Sequence, residues 1–193
     1  MLQSPDALIF DCDGTLVDTM PGHFRAWTEA LGRYGLVLPE PRFYALGGVP
    51  TRDIIALLAR ESRLSVDVDE VAALKEALTE RHLATPAPIP EVVAIAEAAR
   101  GILPMAVATG SIRALADRAL RAIAIRDWFS ALVAAEDVTR PKPAPDTYLR
   151  AAELLEVDPR RCRAFEDTDL GLESARAAGM DAIDIRRLRS PAG

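Results

Sequence analysis

Short blocks of hydrophobic residues, each cut off by a polar turn, alternate along most of this chain with segments whose apolar residues recur every three or four positions. The first block, Ala7-Leu8-Ile9-Phe10, ends abruptly in Asp11-Cys12-Asp13-Gly14-Thr15. A run that is apolar on both faces and stops at a glycine turn reads as a buried parallel strand. Met105 to Thr109, Ala131 to Ala135, Arg163 to Glu166 and Ala182 to Ile185 have the same form. Between them the spacing predicts helices. Pro90 to Arg100 begins on proline and stops before Gly101. Ser111 is placed to cap a helix carrying Ile112, Leu115, Ala119 and Ile123 on one face. Another opens at Pro145 and runs through Leu155, and a last one opens at Thr168 or Asp169 and closes at Gly179. Alternation of this kind predicts an α/β core: a parallel sheet with helices on both faces.

Residues from about Asp18 to about Pro88 break the rhythm and contain no convincing strand. His23 to Tyr34 sets Phe24, Trp27, Leu31 and Tyr34 along one helical face. Asp53 to Glu61 and Asp69 to His82 are helical by the same criterion, and Thr85-Pro86-Ala87-Pro88-Ile89-Pro90 reads as a stiff return linker. The expected organisation is a core of residues 1–17 and 88–193 interrupted by a helical domain of residues 18–87.

Composition narrows the function classes. Half of the 193 residues are hydrophobic and 27% are charged, which is globular rather than disordered. The formal net charge of −6 argues against a nucleic-acid footprint or a polybasic membrane anchor. No apolar run approaches a membrane span, and the N-terminal residues lack a signal-peptide pattern. Two cysteines, Cys12 and Cys162, fit a reducing compartment better than a disulfide framework. A cytoplasmic monomer that binds neither membrane nor nucleic acid is expected. Arg187 to Gly193 reads as a frayed tail.

The candidate chemistry collects at the ends of the predicted strands. Asp11 and Asp13 alternate with Cys12, so the two carboxylates can share a side while the thiol packs. An Asp-Gly turn alone is common, but D-x-D-G-T after an apolar run is far more specific. Glu166-Asp167 terminates another strand; with Asp11 it offers the hard oxygen donors that suit Mg²⁺. Thr109-Gly110-Ser111, at a strand-to-helix turn, supplies a hydroxyl and amides for an anion. Lys142 lies between Pro141 and Pro143, where the backbone is restricted. Together these groups are what phosphoryl transfer to a carboxylate nucleophile requires.

On these four motifs, in this order, the sequence resembles the haloacid dehalogenase superfamily, in its phosphatase and phosphomutase branch. The resemblance covers essentially the whole chain and implies a Rossmann-like core with an inserted four-helix cap. His23-Phe24-Arg25-Ala26-Trp27 and Lys142-Pro143-Ala144-Pro145-Asp146 are similar to the β-phosphoglucomutase-like subfamily. Val49-Pro50-Thr51, Phe165-Glu166-Asp167 and Ala175-Arg176-Ala177-Ala178-Gly179-Met180-Asp181 look like its bacterial fructose-1-phosphate phosphatase-like group. Cys12 departs from the aliphatic residue usual there, at a position that only packs.

The resemblance implies a Mg²⁺-dependent phosphatase for a small phosphorylated sugar. Asp11 would be the nucleophile and Asp13 the general acid and base. Thr109, Gly110, Ser111 and Lys142 would hold the phosphate. The metal would be held by Asp11, the backbone carbonyl of Asp13, Asp167, and Glu166 through water. His23, Arg52 and Lys75 are candidate cap contacts for the sugar or for Asp13; Trp27 is expected in the cap core and His82 at the surface. A hexose-phosphate mutase and a non-catalytic phosphoacceptor or binding module are the alternatives. The Lys142–Pro143 peptide is expected to be cis.

Overall fold

The computed structural model describes residues 4–83 and 86–188. A five-stranded sheet forms the centre, built from β1 (Ala7–Phe10), β4 (Met105–Ala108), β5 (Ala131–Val133), β6 (Cys162–Glu166) and β7 (Asp181–Asp184) in the order β5-β4-β1-β6-β7. Every pairing is parallel. Alternation along β1 explains why both faces are covered. Leu8 and Phe10 enter one cluster with Val92, Ala96, Ala116 and Leu120, from α5 (Pro90–Ala99) and α6 (Arg113–Ala122). Ala7 and Ile9 enter the other with Tyr148, Ala151 and Ala175, from α7 (Asp146–Leu154) and α8 (Asp169–Ala177). Side chains of period two on a strand buried on both faces must all be apolar, which is the pattern of the sequence. Phe10 stacks on Phe165 with ring centroids 4.7 Å apart and meets Phe129 edge-on at 5.9 Å. Each buried ring stabilises the strand ends by about 1.5–3 kcal/mol.

The helical insertion leaves and re-enters this core through a second, two-stranded sheet, β2 (Val17–Asp18) antiparallel to β3 (Ala87–Pro88). It holds α1 (Met20–Gly32), α2 (Glu40–Ala45), α3 (Thr51–Ser62) and α4 (Val68–His82). Trp27, Leu31, Phe43, Ile55, Leu58 and Val71 give it a hydrophobic cluster of its own. Asp67 caps α4, its carboxylate accepting from the amides of Asp69 and Glu70.

Local readings needed correction where the signals were short. The stretch after Asp18 does contain strand: Asp18 and Ala87–Pro88 belong to the small sheet, whose two-residue strands are too brief to show alternation. Helix α2 has six residues, less than two turns, so it shows no periodicity. Ser111 does not cap α6; Ile112 holds the cap position, and Ser111 serves the site described below. The Lys142–Pro143 peptide is cis. The expected tail lies, for 189–193, outside the described residues, as does Thr85 of the linker. Ile185–Arg187 forms a 3₁₀ turn. No helix among the described residues is long and apolar enough to cross a membrane.

Candidate active site

Parallel packing brings the carboxyl ends of β1, β4 and β6 to one edge of the sheet, where open α/β sheets expose their loops to ligands. Asp11 is held there by its own amide, which donates to the Phe165 carbonyl at 3.0 Å. Lys142 Nζ donates to Asp11 Oδ1 at 2.8 Å, Glu166 Oε1 at 2.6 Å and the Ala108 carbonyl at 3.0 Å. All three ammonium protons are thus used in a buried setting. Burial disfavours the charged lysine, but Asp11 and Glu166 outweigh that cost and hold its pKa well above the usual value. The Tyr148 ring lies 5.0 Å from Nζ, and its hydroxyl donates to Glu166 Oε1 at 3.2 Å. Glu166 Oε2 accepts from the amides of Asp167 and Thr168 and from Thr168 Oγ1, so five donors fix this carboxylate.

Oxygens of Asp11, Glu166 and Asp167 all lie within 4.8 Å of one another. One lysine does not balance three acids. Burial, then the charges of neighbouring acids, raise the pKa of Asp11 well above the carboxylate range despite Lys142. Burial and the Glu166 charge push Asp167 up to about 7. Such a cluster takes up either protons or a cation, and an all-oxygen donor set fits a hard divalent ion. Two residues of the first motif make room for it. Thr15 Oγ1 donates to Asp167 Oδ1 at 3.0 Å. Gly14 has φ +81°, and a Cβ there would stand 2.3 Å from Asp167 Oδ2. Only glycine accommodates both the backbone and the carboxylate.

Asp13 has the opposite electrostatics. Its Oδ1 accepts from Thr19 Oγ1 at 2.7 Å and lies 3.3 Å from His23 Nε2; its Oδ2 accepts from Ser111 Oγ at 2.6 Å and Thr109 Oγ1 at 3.4 Å. Burial alone would raise its pKa, but the hydrogen bonds from His23, Ser111 and Thr19 prevail and hold it well below the carboxylate range. Two acids separated by one residue are therefore pushed apart in pKa.

The insertion contributes His23 and Lys75 to this network. Lys75 Nζ lies 3.3 Å from His23 Nδ1 and donates to Glu76 Oε1 at 3.2 Å, while Thr51 Oγ1 donates to the same carboxylate oxygen at 3.3 Å. An ammonium can only donate. His23 Nδ1 therefore accepts, and the ring proton sits on Nε2, facing Asp13. Lys75 also lies 5.5 Å from the centroid of the Trp27 ring. Trp27 packs in the insertion's core as expected and in addition lines the site.

A cavity of about 140 Å³ lies between these groups and an apolar wall of Trp27, Phe43, Leu46 and Ile54. Thr109, Gly110, Ser111 and Lys142 line it together with Asp11, Asp13, His23 and Lys75. Asp167 lines the adjoining cleft instead. Arg52 lies outside the cavity, in an exposed ion pair with Asp69 at 2.6 Å. His82 is not free surface: it is half-buried, with Nε2 3.1 Å from Glu29 Oε2. Sequence reasoning missed Thr19, Tyr148 and Thr168. Thr19 precedes a helix start, a visible signal, whereas Tyr148 looks like one more apolar residue of α7.

Residues 5–179 match the family model of the haloacid dehalogenase-like hydrolases. The chain is similar to the fructose-1-phosphate phosphatase YqaB of Escherichia coli strain K12, at 43% identity over 182 residues, spanning 94% of this chain and 96% of that protein. It is also similar to hexitol phosphatase A of the same strain, at 32% identity over 179 residues, 92% of this chain and 81% of that one. Among solved structures, CbbY from Rhodobacter sphaeroides in complex with phosphate superposes with a TM-score of 0.82 at 27% identity, over 92% of this chain and 84% of that one.

Proposed function

The chain belongs to the haloacid dehalogenase-like hydrolases and is a phosphatase of sugar phosphates, and on that premise we propose a Mg²⁺-dependent hydrolysis of small esters of the fructose 1-phosphate type through an aspartyl-phosphate at Asp11. The observation that carries the reading is the pair of acids, Asp11 on Lys142 and Asp13 on His23, fronting one cavity.

Asp13 takes up a proton from solvent when phosphate oxygens draw away the Ser111 and Thr109 hydroxyls that hold it charged; Asp11 then attacks phosphorus, the bond to the sugar oxygen breaks, and Asp13 gives that oxygen its proton. Asp13 then takes a proton from water as the water attacks the phosphoryl group, which frees phosphate and restores Asp11. Lys142 spreads positive charge over the nucleophile, without which a carboxylate and a phosphate dianion repel. Thr109 and Ser111 have hydroxyls on Asp13 Oδ2 in the free enzyme. Phosphate oxygens compete for those hydroxyls, and with the Gly110 and Ser111 amides they hold the phosphoryl group while Asp13 is released for proton transfer. Asp11, Asp167, the Asp13 carbonyl and Glu166 are the groups that would hold Mg²⁺. When bound, the ion neutralises charge on the phosphoryl group and makes phosphorus more electrophilic. His23 and Lys75 orient Asp13, and residues 18–87 act as a cap over the core of residues 1–17 and 88–193. The protein works as a monomer in the cytoplasm; its free, buried Cys12 and Cys162 suit a reducing compartment.

The test is phosphate release from fructose 1-phosphate and p-nitrophenyl phosphate with Mg²⁺ and with EDTA. Release that EDTA abolishes and that is lost in Asp11→Asn is expected. Unchanged turnover in Asp11→Asn overturns the reading, and interconversion of hexose phosphates without free phosphate replaces it by a mutase.

A further inference from the structure

We infer that the cavity admits phosphate esters whose leaving group is uncharged and rejects those that carry a second phosphate; the inference rests on the phosphatase reading above. The insertion lines the cavity with an apolar wall: Trp27, Phe43 and Ile54 are each at most 5% exposed, and Leu46 completes it. Two cations line the cavity among the described residues, Lys75 and Lys142. Lys142 has no proton to spare, its three being on Asp11, Glu166 and the Ala108 carbonyl. Lys75 commits two, to His23 Nδ1 and Glu76 Oε1, and the Glu76 carboxylate at 3.2 Å already offsets its charge.

One N–H therefore remains on Lys75 for a substrate. A sugar hydroxyl or carbonyl oxygen is satisfied by one donor. A phosphate dianion is not, because it brings several strong acceptors and two charges into a space that already holds Asp11, Asp13 and Glu166. Arg52, the cation on the first turn of α3, spends its charge outside on Asp69. The apolar wall and the engaged lysine thus select against charge rather than for a particular sugar, a form of specificity that works by leaving the wrong ligand unpaired.

The experiment compares kcat/KM for fructose 1-phosphate and fructose 1,6-bisphosphate in excess Mg²⁺, and the inhibition of p-nitrophenyl phosphate hydrolysis by the bisphosphate. The expected preference for the monophosphate is on the order of 10²-fold or more, with correspondingly weak inhibition. Leu46→Lys sets a cation in the wall and should narrow the ratio at least about tenfold, while Val37→Lys, at an exposed position away from the cavity, leaves it unchanged; circular dichroism establishes that both variants fold. Comparable kcat/KM values for the two esters overturn the inference and leave the phosphatase reading intact, as does tight inhibition by the bisphosphate. Absence of phosphate release from every ester overturns the phosphatase reading and this inference with it.

Discussion

His23, on the first helix of the insertion, stands with Nε2 3.3 Å from Oδ1 of Asp13, on the loop after the first strand. This contact joins two separately packed parts of the molecule at the acid to which the proposed mechanism gives the proton transfers. Because Lys75 occupies the other ring nitrogen, the imidazole has one tautomer, and Asp13 receives a hydrogen bond rather than facing a lone pair.

Lys75→Met tests that chain of contacts. It leaves His23 free to adopt the other tautomer and removes the cation beside Glu76, which keeps its contact with Thr51. A buried hydrogen bond to a charged group is worth about 1.5–3 kcal/mol, so kcat should fall by about 10–150-fold. Lys75→Arg should recover part of the loss. Steady-state kinetics with a pH profile decides, since a purely structural defect would lower activity without altering the profile.

Asp13→Ala should reduce phosphate release by about 10²–10⁴-fold, the usual contribution of a positioned acid or base. The fold should survive, because Asp13 is half-buried and its partners Thr19, Thr109 and Ser111 are hydroxyls that can turn to other acceptors. Full activity in this variant would remove Asp13 from the mechanism.

The acidic cluster of Asp11, Glu166 and Asp167 gives a signed pH dependence. In the metal-free protein the folded value of Asp167, about 7, lies above its ordinary value, and Asp11 is raised in the same direction. Between the two values the unfolded chain loses protons that the folded chain keeps. Raising the pH from about 5 to about 7.5 should therefore lower the melting temperature in EDTA. Mg²⁺ requires the ionised acids, so its affinity should rise over the same interval and offset the loss. Calorimetry with and without Mg²⁺ checks both; a melting temperature that climbs with pH in EDTA would contradict the assignment.

Gly171→Ala probes the Glu166 anchor. A Cβ at Gly171 would fall 1.8 Å from Glu166 Oε1, and that carboxylate has five donors fixing it in place. Overpacking costs about 1–3 kcal/mol, and displacing Glu166 also loosens Lys142. Chemical denaturation should show the destabilisation together with a lower kcat. Arg52→Ala, by contrast, removes an exposed ion pair and should change stability by less than about 1 kcal/mol.

How far the sequence could be read depended on the length of each signal. Asp11, Lys142 and Glu166 were legible because each ends or follows a segment whose apolar pattern locates it at a strand end or a proline-framed turn. The helices with three or more turns were legible for the same reason. Contacts that join distant segments leave no periodic trace. Tyr148 reaches Glu166 across 18 positions and Thr15 reaches Asp167 across 152, and each looks ordinary in its own neighbourhood. Arg52 and Lys75 both sit on helices of the insertion, and only packing separates the one at the surface from the one 4% exposed.

The narrow ribbon of β2 and β3 is where the chain passes from the core into the insertion and back. Its two ends leave the core side by side, and the register Val17↔Pro88, Asp18↔Ala87 is the whole of that stem. Another helical block on the same stem would meet Asp11, Lys142, Glu166 and Asp167 unaltered, but it would have to supply its own partner for Asp13 in place of His23 and Lys75.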